Sequence, residues 1–221
     1  MNSYLAKLIL EGEHQKQDFK YCISDSKKIA KSLVAFANTD GGRLLIGVKD
    51  NGNIAGVRSD EEYYMIESAA KIYSTPEISF STRQHLSDGK TILEIQVESS
   101  SEKPHFALDE NGKWLAYYRQ NDENKLACRI MIMVWQKQKS KKGILVNYSG
   151  AEKFLLDYLE RNDKVSFMTF VRKAHISFSE AERIISDFIV LNIIAPTWQE
   201  KQSTYCLSKQ YDRESFLFQR E

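Results

Sequence analysis

The sequence has few cysteines, no long apolar run and almost no net charge. Its three cysteines are scattered among 221 residues and lack the spacing of a metal site. We therefore predict reduced thiols in a cytoplasmic protein and not a disulfide framework. No apolar stretch approaches the length that spans a bilayer, and the N-terminus lacks a secretory pattern, so we expect no membrane contact.

Signatures of nucleotide binding and of nucleophilic catalysis are also missing. A phosphate loop runs strand, glycines, helix, whereas Gly41 and Gly42 follow a helical pattern and precede an apolar run. We interpret this pair as a helix stop that also allows close backbone packing. No Ser/His/Asp or Cys/His set stands out, and none of the four histidines has another His or Cys at ligand spacing.

The charge of the chain is balanced overall but uneven along its length. The net charge is +1, yet residues 128–148 contain no carboxylate. We call this segment the basic joint. Its basic residues are Arg129, Lys137, Lys139, Lys141 and Lys142. An anionic partner would be attracted there, although a solvated connector would have the same composition.

Apolar periodicity predicts an α+β fold. Ile29, Leu33 and Phe36 recur at helical spacing, with Ser24 or Ser26 as the expected cap, whereas Leu93, Ile95 and Val97 alternate with polar residues as in a half-buried strand. Strands outnumber helices, and most connections have hairpin turn residues. We therefore expect a mixed, largely antiparallel sheet with helices packed on it.

A second domain is indicated after the basic joint. Capping patterns at Ser149, Ser166 and Ser179 predict three helices, and two short apolar runs around a polar turn predict a hairpin. This order is winged-helix-like. The predicted boundaries are 1–135 for the first domain, 136–148 for a basic linker and 149–221 for the winged-helix-like domain.

The third of these helices would be the one that enters a DNA major groove. Its predicted exposed residues are more acidic than basic: Glu180, Glu182, Arg183, Ser186 and Asp187. Phosphates would be repelled by such a face. Contact with protein is therefore an open alternative to DNA recognition for this domain.

The stretch 35–57 resembles a known family. Its pattern Ala-Phe-Ala-Asn-Thr-x-Gly-Gly, then Leu-Leu-Ile-Gly-Val-x-Asp, is similar to the Schlafen-type AlbA-like domain, a family of nucleic-acid-binding modules. Asp18-Phe19-Lys20 upstream, and Pro104 and Tyr117-Tyr118-Arg119 downstream, extend the resemblance over roughly residues 10–130. It does not reach the last third of the chain.

The resemblance also implies a metal site. Some Schlafen proteins are metal-dependent ribonucleases with three acidic residues, which match Glu13, Asp18 and Asp50 here. Such oxygen ligands suit Mg²⁺ or Mn²⁺. A five-residue spacing on a straight strand would point Glu13 and Asp18 to opposite faces, so the chain must bend between them. The alternative is a set of carboxylates that lie on an exposed edge or pair with Lys20 and Lys49.

Three functional hypotheses follow. The first is a nucleic-acid-binding transcriptional regulator, for DNA or RNA, whose expected phosphate contacts are Lys20, Arg119, Lys139, Lys141 and Lys142. The second is a metal-dependent endoribonuclease, and the third is a protein-interaction module without nucleic acid.

A homodimer is expected as well. Schlafen nuclease cores contain two related lobes, and this chain has one, so a twofold pair would restore the arrangement. The apolar segments 131–135 and 189–195 offer surface for such a contact.

Overall fold

Two compact units, Met1–Ala127 and Cys128–Glu221, make up the computed structural model. It describes residues 3–59, 61–140, 143–144, 150–199 and 202–212. The helices are α1 (Ser3–Glu11), α2 (Ser26–Asn38), α3 (Glu61–Lys71), α4 (Arg129–Lys139), α5 (Gly150–Arg161), α6 (Phe167–Ala174) and α7 (Phe178–Val190). The strands of the first unit are β1 (Gln17–Lys20), β2 (Gly42–Ile46), β3 (Ser74–Thr75), β4 (Phe80–Ser87), β5 (Lys90–Val97), β6 (Phe106–Leu108), β7 (Trp114–Leu115), β8 (Tyr117–Gln120) and β9 (Glu123–Leu126). Those of the second unit are β10 (Val165–Ser166), β11 (Ile194–Thr197) and β12 (Thr204–Leu207).

The first unit is built on a four-stranded sheet in the order β1-β2-β5-β4. β1 pairs with β2 in parallel, and the other two pairings are antiparallel. Helix α2 packs on one face of the sheet through Leu33 and Phe36, which join Leu44, Ile46 and Ile95 in the larger core. The expected mixed α+β architecture is confirmed.

Helix α2 begins and ends for local reasons. The side chain of Asp25, and not the expected Ser24 or Ser26, accepts a hydrogen bond of 2.8 Å from the N–H of Lys27 and caps the helix. At the other end, Gly41 has a φ of +72°, and a side chain there would meet the carbonyl oxygen of Val97 at 2.8 Å. A side chain at Gly42 would meet the ring of Phe36. The interpretation of the glycine pair as a helix stop with close packing is confirmed.

A buried asparagine fixes the end of α2 to the smaller strands. Asn38 donates from Nδ2 to the carbonyl oxygens of His105 and Tyr117, each at 2.9 Å, and accepts from the N–H of His105 at 2.8 Å. Strands β3, β6 and β7 form one small sheet, and β8 and β9 form a hairpin. Asn38 therefore places the start of β8, which carries Tyr117 and Arg119, beside α2.

The opposite face of the main sheet is covered by α1. Leu5 and Leu8 pack on Phe19, Leu45 and Ile92 in a separate small core. Beyond α1 this face is polar.

The second unit begins with α4. This helix contains residues 131–135, the end of the predicted first domain, and its Ile130 and Val134 belong to the core of the second unit. Residues 136–139 of the predicted linker are helical, whereas Lys141, Lys142 and residues 145–149 lie outside the described residues. The predicted domain boundaries therefore stay a prediction.

The remaining elements of the second unit follow the predicted order of three helices and a hairpin. Ser166 caps α6, as expected, by accepting from the N–H of Thr169 at 3.2 Å. Helix α7 begins earlier than predicted, because Ser177 and not Ser179 provides its cap. β10, β12 and β11 form an antiparallel sheet in that order. No helix in the described part of the chain is long and apolar enough to cross a bilayer.

Candidate nucleic-acid interface

Strand β1 brings two of the predicted site residues together. Asp18 and Lys20 are two positions apart, so their side chains point to the same face, towards α2. Nζ of Lys20 lies 2.8 Å from Oδ2 of Asp18, and the hydroxyl of Ser32 on α2 lies 3.4 Å from the same oxygen. Asp18 is buried and Lys20 is partly exposed. This ion pair leaves only part of the positive charge of Lys20 for a ligand.

Glu13 folds back onto Asp18 through the bend that its spacing requires. His14 and Gln17 exchange backbone hydrogen bonds at 3.0 and 3.1 Å, which reverses the chain just before β1. The carboxylate of Glu13 then accepts from the N–H of Phe19 at 2.9 Å and lies within hydrogen-bond reach of Asp18. Burial, and then the hydrogen bond to Asp18, raise the pKa of Glu13.

Arg119 lies beneath this cluster. Its side chain is 1% exposed, and Nη2 donates to the carbonyl oxygen of Gln17 at 3.1 Å and lies 3.7 Å from Oδ1 of Asp18. Nη1 donates to Asn124 at 3.0 Å, and the guanidinium lies 5.1 Å from the ring centroid of Phe36. The predicted phosphate contact is thus a buried arginine that holds β1, β8 and β9 together, and it presents no surface to a phosphate.

Asp50 does not join the other two carboxylates in a metal site. It is exposed in the turn after β2, and no group of three or more His, Cys, Asp or Glu side chains in the described ranges could hold a metal ion. Asp18 is already paired with two cations, Lys20 and Arg119, which would repel a divalent ion. The residues predicted for Mg²⁺ or Mn²⁺ do not fit such an ion.

The first turns of α2 carry a group of lysines that the sequence analysis did not single out. Lys27, Lys28 and Lys31 line a cavity of about 230 Å³, the lysine cavity, together with Tyr117 and residues 107–111. Nζ of Lys27 donates to the carbonyl oxygen of Asp109 at 3.3 Å, and Nζ of Lys31 lies 5.2 Å from the ring centroid of Tyr117. None of the three forms an ion pair with a carboxylate among the residues that the structure describes.

Two carboxylates also border the lysine cavity. That of Asp109 accepts from the N–H groups of Asn111 and Lys113 at 2.9 and 2.7 Å, and the bond from Lys113 is the main reason why the pKa of Asp109 is lowered. The carboxylate of Asp109 therefore stabilises the turn that contains it. Glu110 is exposed. The lysines keep a positive excess.

An exposed tyrosine lies close to α2 along the chain. Tyr21 follows β1 directly and is 43% exposed. Nζ of Lys49 lies 5.4 Å from its ring centroid and Cζ of Arg58 lies 5.0 Å from it, while Nη2 of Arg58 donates to the phenol oxygen at 3.0 Å. We call Tyr21, Lys49 and Arg58 the Tyr21 cluster.

The buried carboxylate of Glu62 holds this cluster in place. It accepts from the N–H of Arg58 at 2.8 Å and from the N–H of Ile23 at 3.3 Å. Glu62 thereby joins α3 to the two segments that carry Arg58 and Tyr21. Because β1 and β2 are parallel, their carboxyl ends meet at one edge of the sheet, where Tyr21 and Lys49 follow them.

The basic joint is partly neutralised in the structure. Nζ of Lys137 lies 2.7 Å from Asp187, and Nε of Arg129 lies 3.2 Å from Glu182, so α4 pairs with the acidic side of α7. Ser186 and Asp187, expected on the surface, are buried. This side of α7 therefore faces α4. Lys139 is exposed at the end of α4, and Lys141 and Lys142 lie outside the described residues.

The sequence contains a pattern that predicts the lysine cavity but none that predicts the Tyr21 cluster. Lys27, Lys28 and Lys31 lie opposite the apolar stripe of α2, so helical periodicity alone could have placed them together on the surface. The Tyr21 cluster had no such signal, because its members are 28 and 37 positions from Tyr21. The parallel pairing of β1 with β2 and the hydrogen bonds of Glu62 bring them together.

Comparison with known proteins identifies the first unit. Residues 13–128, just over half of the chain, match the family model described as Schlafen, AlbA_2. No curated protein matches the chain. Among solved structures, the DIP2311 protein from Corynebacterium diphtheriae is similar, with 18% sequence identity and a TM-score of 0.44. The similarity covers 78% of this chain and 32% of the DIP2311 chain, so this chain spans about a third of the length of that protein. The N-terminal domain of a RecG-related protein from Nitrosomonas europaea is similar at 20% identity and a TM-score of 0.39, over 67% of this chain and 98% of its own. The chain belongs to the Schlafen AlbA_2 family.

Proposed function

We propose that this protein binds nucleic acid through the first unit, with the lysine cavity as the phosphate site. The observation that carries the proposal is the set of three lysines without carboxylate partners, among the described residues, at the start of α2. Family membership is consistent with a nucleic-acid-related role. The Tyr21 cluster and Lys20 add further basic groups to the same unit, and Lys20 and Tyr21 shortly precede α2 in the chain.

Helix electrostatics favour a ligand as the reason for these lysines. The N-terminus of a helix carries partial positive charge and is stabilised by acidic residues, yet the first turn of α2 contains none. Three cations near that end oppose the helix dipole, so stabilisation of the helix terminus does not explain their placement. A bound phosphate would be attracted by both the lysines and the dipole.

The second unit supports a finer proposal, that of a winged-helix domain in a transcriptional regulator. Its order α5, β10, α6, α7, β11, β12 and its sheet order β10-β12-β11 are those expected of a winged helix. Because α4 covers α7, we assign this unit to protein contact and not to reading of base edges. The basic joint would add unspecific attraction for phosphates through Lys139, Lys141 and Lys142.

The endoribonuclease alternative has less support, because Glu13, Asp18 and Asp50 do not form a metal site in the described ranges. A protein-interaction module without nucleic acid remains the competing function. The cytoplasmic location inferred from the cysteines stays a prediction.

The homodimer also stays a proposal, but its basis changes. Ile130, Val134, Ile189 and Ile193, in or beside the apolar segments expected to offer free surface, are core residues of the second unit. The better candidate is β4, an edge strand of the main sheet whose Leu86 is exposed.

Binding of labelled DNA and RNA oligonucleotides, followed by fluorescence anisotropy, tests the proposed function. We expect Lys27, Lys28 and Lys31 changed together to alanine to weaken binding at least tenfold. The matched control changes Lys7, Lys71 and Lys90, which are exposed lysines of the same unit. Equal losses in the two variants would mean that only net charge matters, and an absence of binding by the unmodified protein would refute the proposal.

A further inference from the structure

The polar part of the main sheet's outer face contains a cluster that nucleic-acid binding does not use. Side chains alternate along each strand, so Leu93 and Ile95 face α2 whereas Glu94 and Gln96 face the other side. Arg83 lies directly opposite Glu94 in the β4–β5 register. This cluster is therefore separated from the lysine cavity by the sheet itself.

Glu94 is the centre of the cluster and is only 5% exposed. One carboxylate oxygen lies 2.7 Å from Nε2 of His85, which is also buried and lies in β4. The other oxygen accepts from the hydroxyl of Tyr4 at 3.1 Å. Burial, and then this hydrogen bond, raise the pKa of Tyr4, so the phenol keeps its proton. Each oxygen of Glu94 thus has one close partner, His85 or Tyr4.

Two arginines beside Glu94 are left with weak contacts. Nη1 of Arg43 lies 3.9 Å from Glu94 and 3.5 Å from the hydroxyl of Tyr4. Nε of Arg43 is buried and has no hydrogen-bond partner among the described residues. The guanidinium of Arg83 lies over the ring of Tyr4, 5.6 Å from its centroid, and forms no ion pair within the described ranges. Buried donors in folded proteins are nearly always satisfied, so the weak contacts of these two guanidinium groups leave them with donor capacity for an acceptor.

A cavity of about 350 Å³ opens beside these groups. It is lined by Tyr4, Ser81, Thr82, Arg83, Glu94 and Gln96. The volume is within the range of small-molecule sites. Arg83 and Glu94 are the charged residues of this lining, and the guanidinium of Arg43 adjoins it through its contacts with Tyr4 and Glu94. Two guanidinium groups around one carboxylate leave the balance of charge near the cavity positive.

We infer that this cavity binds the oxyanion of a small molecule, a phosphate or a carboxylate, at Arg83, with the positive charge of Arg43 adjoining the site behind Tyr4 and Glu94. Guanidinium groups match both anions through paired N–H donors. The hydroxyl of Ser81 and the amide of Gln96 provide further polar contacts at the rim. Glu94 orients the site by fixing Tyr4 and His85, and it faces the ligand as a second, negative contact that favours a ligand with a donor group next to its anion.

NMR titration of the full-length ¹⁵N-labelled protein tests this site directly. Inorganic phosphate, acetate and adenosine monophosphate are added separately. We expect saturable shifts at the amides of 81–83 and 94–96, and the probe that saturates at the lowest concentration separates phosphate from carboxylate ligands. Arg83→Ala should weaken that affinity at least tenfold, and Arg83→Lys should recover part of it.

Arg172→Ala is the matched control, because it removes an exposed arginine of the second unit and lowers the net charge equally. Arg83 is an exposed residue of an edge strand, so its replacement should leave the fold intact. Shifts that stay linear, or that weaken equally in the two alanine variants, would overturn the site. Shifts of 81–83 and 94–96 with oligonucleotide but with none of the three small probes would also overturn it. Since these amides report on one face of the sheet alone, failure here has no bearing on the lysine cavity, which has its own experiment.

Discussion

The ammonium of Lys20 lies 2.8 Å from the carboxylate of Asp18, two positions before it on the same strand. This contact decides between two roles for Asp18. A metal ligand would need a free carboxylate beside other oxygen donors, whereas Asp18 is neutralised by Lys20 and by the buried guanidinium of Arg119. Asp18 therefore stabilises the junction of β1, α2 and β8.

Replacement of Asp18 should accordingly reduce stability. Asp18→Asn leaves Arg119 buried without its charge partner, so we expect the free energy of unfolding to fall by roughly 1–3 kcal/mol in urea denaturation. Asp50→Asn, the matched control in an exposed turn, should change it by less than about 0.5 kcal/mol. Any RNA cleavage that requires Mg²⁺ or Mn²⁺ and is lost in both variants would restore the ribonuclease hypothesis.

The sequence predicted the elements of the first unit better than it predicted the roles of charged residues. The helix before Gly41 and the β4–β5 hairpin follow from local patterns, namely helical periodicity and turn residues. The burial of Arg119 and Asp187 does not follow from local patterns, because each is buried by an element distant in sequence. A charge pattern cannot show whether a cation will face solvent or a buried carboxylate.

The pKa of Glu13 predicts how stability depends on pH. A folded-state pKa above the unfolded value means that the folded protein holds this proton more tightly. The resulting stability is fully present below the ordinary glutamate value of 4.5 and is lost as pH rises through the raised pKa. Glu13→Gln, which mimics the protonated side chain and still accepts from Phe19, should be more stable than the unmodified protein near neutral pH.

Urea denaturation between pH 4 and pH 7 measures this difference. The gain of Glu13→Gln should shrink towards the acidic end. Glu123→Gln is a suitable control, since Glu123 is an exposed carboxylate of the same unit. A constant gain across the range would show that the proton of Glu13 has no part in it.

Salt dependence separates the lysine cavity from the basic joint. Removing one lysine–phosphate interaction lowers the magnitude of the slope of log Kobs against log[salt] by about 0.7–0.9, so the triple alanine variant of Lys27, Lys28 and Lys31 should lower it by roughly 2–3. The same change at Lys139, Lys141 and Lys142 should weaken binding less, because unspecific attraction would be its only contribution. Anisotropy titrations at several salt concentrations provide both slopes. A larger effect at the basic joint would place the main phosphate contacts there.

Association through β4 is testable by light scattering. A dimer paired along this edge should scatter with about twice the chain mass of 25.6 kDa. Leu86→Lys places a charge on the exposed edge and should return the mass to that of one chain. Leu10→Lys, at an exposed leucine of α1, is the control and should not. A single-chain mass for the unmodified protein at micromolar concentration removes the support for this dimer.

The Tyr21 cluster should affect single strands more than duplexes. A base can stack on an exposed tyrosine ring only when it is unpaired, and one such contact contributes about 1–3 kcal/mol. Lys49 and Arg58, already at the ring, would meet the adjoining phosphates. Tyr21→Ala should therefore weaken binding of a single-stranded oligonucleotide by about tenfold and change duplex binding little, whereas Tyr21→Phe should keep most of the affinity. Tyr64→Ala removes a more exposed tyrosine, on α3, and should alter neither. If Tyr21→Ala weakened both forms equally, the cluster would act through Arg58 and Lys49 as a charge, and stacking would have no role.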